Sequence, residues 1–144
     1  MSDKIDVNYM LDEFAFKPEK AHEADAGFDI RLPRNQHIVV SAHGNAVVDT
    51  GVHLEIPIGY VGFLKSKSGL NVRDNITGEG VIDSGYTGSI VVKLYNNGDV
   101  DVPFASGQKL IQIVIIPIPD VEMHEVNSFA ETERGNNGFG STGR

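Results

Sequence analysis

The stretch "GEGVIDSGYTGSIVVKLYN", residues 78–96, concentrates the groups from which chemistry could be built. Two apolar runs flank a turn rich in Gly, Asp and Ser, which reads as a β-hairpin. Asp83 then sits at the mouth of the turn rather than inside a strand, beside any ligand that the hairpin holds. The glycines let backbone approach a flat ligand closely. Shaping the turn is the commoner task for an aspartate at such a position, so the residues alone leave both readings open.

Three further stretches repeat this pattern of a chemical and a plain reading. "KSKSGLNV" ends a strand and starts a short helix, whose first-turn amides at Ser68 and Gly69, with Lys65 and Lys67 upstream, can bind phosphate. An ordinary Ser N-cap with solvated lysines explains it equally well. "DAGFDI" places Asp29 inside an apolar strand, where a carboxylate is paired or holds a metal through water. "SGQKLIQIVI" interrupts an apolar run with Gln112, an amide that needs backbone or ligand partners. The C-terminal "ERGNNGFGSTGR" is a glycine-rich stretch of the kind that cradles phosphate, but it lacks the Lys-Ser/Thr pair of a Walker loop. His22, His37, His43, His53 and His124 show no metal-ligand spacing and receive no catalytic role.

These residues must be positioned by strands. Period-two alternation recurs: Phe28, Ile30 and Leu32 share one face, as do Val52, Leu54 and Ile56. "SIVVKLYN" and "KLIQIVII" are more continuously apolar, as expected of strands covered on both faces. Turn signals between short strands suggest an all-β sandwich or jelly-roll-like barrel with one short helix at Ser68. A further strand is expected around "VEMHEV". We expect a single β domain over residues 1–128 and a flexible C-terminal lid over 129–144.

At 144 residues the chain is one domain by prior and needs no staple. It has no cysteine, which excludes disulfides, thiolate metal sites and a cysteine nucleophile and suits a reducing compartment. Twelve Lys+Arg against twenty Asp+Glu give a net charge of −8, which argues against coating nucleic acid. Charges at the N-terminus and the lack of a long apolar run point away from a signal peptide and from a membrane, and so to an intracellular protein. An anionic ligand must therefore be held locally, by a metal or a few cations.

Taken in order, "AGFDI", "KSKSGL", "GVIDSGYTG", "GQKLIQIVI" and "RGNNGFGSTG" resemble the five motifs of the trimeric dUTPases, spanning residues 26 to 143. The resemblance implies a jelly-roll-like β-clip barrel assembled as a homotrimer with active sites shared between subunits. It implies hydrolysis of dUTP to dUMP and pyrophosphate with Mg²⁺, by water attack on the α-phosphorus. That reaction keeps uracil out of DNA and supplies dUMP for thymidylate synthesis. Asp83 would orient and deprotonate the water. Tyr86 would pack under the deoxyribose, and the backbone of Gly80, Val81 and Ile82 through to Tyr86 would read uracil. Lys67, Ser68, Gly69 and Gln112 would contact phosphates, and Asp29 and Gln112 would steady waters of the metal. Arg134 and Phe139 would pack at the base while Gly138, Gly140, Ser141 and Thr142 close over the γ-phosphate.

The chain departs from the family pattern at Lys67, where Arg is usual, at Gly85, Thr87 and Ser89 beside Asp83, at Thr77, and at Asn137 in the tail. The related dCTP deaminases share the fold, but "SIVVKLYN" lacks the expected glutamate and the glycine tail favours dUTPase. A dUTPase-fold regulatory protein that binds a protein partner under nucleotide control is the remaining alternative. The resemblance places the protein in the cytoplasm, in a bacterial cell or a virus-infected host cell.

Overall fold

The computed structural model describes residues 4–138 and 140. In chain order the strands are β1 (Asn8–Leu11), β2 (Gly27–Arg31), β3 (Ile38–Val40), β4 (Asn45–Glu55) and β5 (Tyr60–Lys65). Helix α1 (Ser68–Asp74) follows, and then β6 (Ile76–Thr77), β7 (Glu79–Ile82), β8 (Ser89–Asn96), β9 (Val102–Phe104) and β10 (Lys109–Pro117). One sheet has the order β1-β4-β8-β6, a second β2-β10-β5-β7, and β3 pairs with β9. All of these pairings are antiparallel.

Alternation builds the core. β4 turns Val48, Thr50, Val52 and Leu54 inward, and β8 does the same with Ile90, Val92 and Leu94. The apolar ones meet Ile30, Leu64, Ile111 and Ile113 of the other sheet in one continuous apolar cluster. Burying each such side chain contributes about 1.5–3 kcal/mol before entropy is counted. The result is the jelly-roll-like all-β arrangement expected, made of two open sheets; no ladder among the described residues closes them into a barrel. No helix among the described residues is long and apolar enough to cross a membrane.

Four expectations need correction. β7 and β8 do not form a hairpin ladder: β7 pairs with β5 in one sheet and β8 with β4 and β6 in the other, so the turn at 83–88 carries the chain across the sandwich. β8 is covered on one face only within the chain, with Val91 50% and Tyr95 44% exposed, because β-branching favours strand geometry without dictating burial. Phe28 does not share the burial of Ile30 and Leu32; it stands at the open end of β2. Residues 121–126 form no strand: among the described residues no strand pairs with them, and an unpaired strand is not stable in water.

The short helix also differs in detail. Its N-cap is Lys67, with extended backbone and no side-chain capping bond, and Ser68 is its first helical residue. Asn75 closes it in the left-handed region, donating its N–H to the Leu70 carbonyl.

Candidate active site

The register of the second sheet assembles the site. Gln112 of β10 stands opposite Asp29 of β2 on one side and Lys65 of β5 on the other, and Lys65 stands opposite Glu79 of β7. Paired residues project to the same face, so one row across four strands joins Asp29, Gln112, Lys65 and Glu79. Segments far apart in sequence thereby become neighbours at one end of the sheet.

Asp29 is the buried charge of this row, its side chain only 4% exposed. Lys67 Nζ lies 2.5 Å from its Oδ1 and Lys109 Nζ 3.2 Å from its Oδ2. Burial alone would raise the Asp29 carboxyl, but hydrogen bonds from the two lysines and their positive charge outweigh it and hold the group below the usual carboxylate range. Lys67 is therefore anchored by a carboxylate. Lys109 was missed by reading the sequence, although it lies three residues before Gln112 in the same motif. Lys65, considered with Lys67 as a phosphate cation, instead bonds both Glu79 oxygens at 2.9 and 3.1 Å.

Gln112 is half-buried and donates from Nε2 to the Ser66 carbonyl at 3.0 Å, which ties β10 to the entry of α1. Its Oε1 lies over Gly27, where a Cβ would come within 2.2 Å. Only glycine leaves the amide that seat. Ser66 Oγ in turn accepts from the Gly78 N–H at 3.0 Å, locking the same corner to the start of β7. At the head of α1, the amides of Ser68, Gly69 and Leu70 precede the first intrahelical donor, Asn71, whose N–H reaches the Lys67 carbonyl at 2.9 Å.

β7 is an edge strand of its sheet. One side of its backbone bonds β5, and the other presents N–H and C=O groups with no ladder partner, a surface suited to hydrogen-bonding the edge of a base. Gly80 is constrained from below, since a Cβ would meet Leu64 Cδ1 at 2.9 Å. Asp83 follows β7 directly and is exposed at the head of a turn. Its carbonyl accepts the Tyr86 N–H at 3.2 Å, and Gly85 takes φ 89°, the backbone of a type II turn. Gly85, a departure from the family pattern, is thus the residue this turn calls for. The Tyr86 hydroxyl donates to the Ser89 carbonyl at 2.7 Å, and its ring lies against Gly88, where a Cβ would come within 2.8 Å of Cζ. Thr77, another departure, accepts at Oγ1 from the Asn97 amide at 3.1 Å.

Among the described residues, the arm makes no hydrogen bond to this site. Arg134 donates from Nε to the Asn137 carbonyl at 2.6 Å, curling the arm on itself beside Gly138. Among the described residues, none beyond Ile118 hydrogen-bonds the body of the fold. Gly140 takes φ 91° with open space around it. Phe139, Ser141 and Thr142 lie outside the described residues.

No three His, Asp or Glu side chains among the described residues form a metal cage. Asp29 is committed to two ammonium groups and one Gln112 N–H to the Ser66 carbonyl, leaving the second Gln112 N–H for a phosphate oxygen and the Gln112 oxygen and remaining Asp29 lone pairs for a metal's waters. Such a donor set fits Mg²⁺ carried by a ligand's phosphates better than a resident ion.

The dUTPase family model matches residues 15–143. The chain is 42% identical over 129 residues to the deoxyuridine 5'-triphosphate nucleotidohydrolase of Anaplasma marginale, covering 88% of each, and 35% identical over 144 residues to that of Saccharomyces cerevisiae, covering 99% of this chain and 97% of the relative. Among solved structures, a variant of the Staphylococcus bacteriophage 80alpha dUTPase with dUpNHpp superposes with a TM-score of 0.84 at 29% identity, over 98% of this chain and all of that one. A dUTPase from phage phi11 of S. aureus, described with a structural Mg(II) ion, superposes at 0.77 with 30% identity, over 87% of this chain and 99% of that one.

Proposed function

The chain belongs to the dUTPase family, and on that premise we propose that it hydrolyses dUTP to dUMP and pyrophosphate at the corner where β7 meets the turn of Asp83. The observation that carries the placement is the cross-sheet row of Asp29, Gln112, Lys65 and Glu79, which brings the first four motifs together on adjacent strands.

The edge of β7 reads the uracil through backbone groups, and Tyr86, seated against Gly88, fills the floor beneath the deoxyribose so that a 2′-hydroxyl finds no room. Asp83 accepts the proton of the water that attacks the α-phosphorus. A carboxylate is a weak base at neutral pH, so its larger contribution is to hold that water in line. The Gln112 amide and the amides of Ser68 and Gly69 orient the phosphates. Lys67, kept in place by Asp29, supplies a point charge where the family usually has the planar fork of Arg, which trades bidentate geometry for a compact cation. Asp29 and Gln112 would hold waters of a Mg²⁺ carried by the phosphates, which when bound would supply further charge neutralisation there.

The arm completes a site on another copy of the chain in a homotrimer. The exposure of its described residues, and the lack of hydrogen bonds from them to the fold that bears it, support that reading. Arg134 and Phe139 then meet the base, and Gly138, Gly140, Ser141 and Thr142 close over the γ-phosphate.

Asp83→Asn tests the mechanism. Turnover should fall by about 10²–10⁴-fold, the range for losing a positioned acid or base, while dUpNHpp still binds. Unchanged turnover would sink the assignment. Pyrophosphate release from dUTP, dTTP, dCTP and UTP, with and without Mg²⁺, tests selectivity; release from dUTP alone is expected.

A further inference from the structure

The turn that carries Asp83 is braced by a side chain that the mechanism above does not use. Opposite β8, Asp49 of β4 faces Val91 and His53 faces Ser89, with a bulge between them. Gly51 occupies the bulge at φ 69°, where a Cβ would lie 3.1 Å from both Ala15 and Asp12. The bulge is pinned on three sides. The Asp12 N–H donates to the Gly51 carbonyl at 2.9 Å, the Gly51 N–H to Ser89 Oγ at 3.0 Å, and Thr50 Oγ1 to the Ile90 carbonyl at 2.6 Å. Bulges re-aim the side chains next to them. Here that side chain is the imidazole of His53, with Nδ1 2.8 Å from the Thr87 carbonyl and Nε2 3.0 Å from Asp12 Oδ1.

Both partners are acceptors. A neutral imidazole carries one N–H and can satisfy one of them; the imidazolium satisfies both. We propose that His53 is a positioning residue for the catalytic turn: as the imidazolium it clamps the Thr87 carbonyl to Asp12 and fixes the far limb of the turn, and on losing its proton it releases one end. The clamp acts on Asp83 and Tyr86 because Thr87 directly follows Tyr86, whose hydroxyl and backbone are themselves bonded to Ser89 and Asp83. It rests on the assignment of Asp83 given above.

The groups facing the ring favour its charged form. They are the Thr87 carbonyl from the turn, Asp12 from the segment after β1, and Asp49 from β4 itself. The bond to Thr87 and the two carboxylates hold His53 above the ordinary histidine value against its partial burial. On the β8 side, Asp49 also accepts a hydrogen bond from Ser89 Oγ. The clamp is therefore complete below the ordinary histidine range and lost as pH rises through the raised value.

The test compares dUTP turnover by the wild type, His53→Gln and Asp12→Asn from about pH 6 to about pH 9, alongside an NMR titration of His53 assigned by its loss in His53→Gln. At the acid end the wild type should exceed His53→Gln in kcat on the order of ten-fold, since small displacements of a positioned group are costly. That ratio should decline towards unity through the His53 titration, with KM changing little. Asp12 is exposed, so Asp12→Asn should fold normally, and it should shift both the NMR midpoint and the decline to lower pH. A ratio that is flat with pH, or a His53 midpoint at or below about 6.5, would overturn the clamp. Asp83→Asn measured in parallel separates the two claims. Full activity there would overturn the role of the turn, whereas its collapse beside a flat ratio would overturn the clamp alone; the NMR titration reads the clamp without turnover.

Discussion

At the scale of the residue, Asp29 shows how one buried carboxylate can organise a site it does not dominate. Its charge is taken out of water, and the two lysines that satisfy it become fixed cations at the end of the sheet. Removing the carboxylate leaves those ammonium groups facing each other. Because the lysine side chains keep 27% and 38% of their exposure, water offsets part of the cost, and Asp29→Asn should destabilise the fold by about 1–3 kcal/mol, below the full penalty for breaking a buried pair. The sign with pH follows from the depressed carboxyl. The stabilisation is complete above the unfolded carboxyl range and is lost as pH falls through the folded value. Denaturant unfolding of both proteins over an acid series should show the difference at neutral pH and its disappearance in acid. Asp29 was singled out in the sequence because a carboxylate inside an apolar strand needs a partner. The identity of those partners was not legible there, since Lys67 and Lys109 meet it only through the register of β2, β10 and β5.

At the scale of the element, the turn after β7 was recognisable from its Gly, Asp and Ser content, whereas the destination of the chain beyond it was not. Local composition specifies a reversal; whether the two limbs then pair depends on which strands already occupy their edges. Here β5 takes β7 while β4 and β6 take β8, so the turn spans two sheets and leaves the free edge of β7 open. The same limit explains the strand expected at 121–126: alternation was present in the sequence, but a partner within the chain was not. Gly85 offers a clean test of the turn, because a Cβ there meets nothing within 4 Å and Gly85→Ala changes only the backbone cost of φ 89°. That cost is roughly 1–2 kcal/mol per residue in the left-handed region. Global stability should fall by no more than this amount. Turnover should fall more than affinity for dUpNHpp, because the strain is placed on the segment that aims Asp83. Equal losses in binding and turnover would instead assign Gly85 to ligand contact.

At the scale of the whole molecule, a body with a continuous core carries an arm whose described residues take no part in it. From Ile118 onward, Val121, Met123 and Phe129 stand in solvent, at 65%, 89% and 90% exposure, and among the described residues Arg134 bonds only its own arm. The order of the five motifs suggests a lid, but the described part of the fifth motif makes no hydrogen bond to the strands that carry the other four. Assembly supplies the missing geometry if the arm of one subunit closes the site of another. Its glycines then lose their freedom on ligand binding and not on folding. Truncation after Glu133 separates assembly from closure: the shortened chain should keep the trimer mass in sedimentation and the thermal stability of the full chain, while kcat/KM for dUTP falls by about 10²-fold or more through loss of water exclusion and phosphate contacts. A truncated protein that dissociates would make the arm a structural tie, and one that keeps full turnover would leave the glycine-rich segment without a part in catalysis.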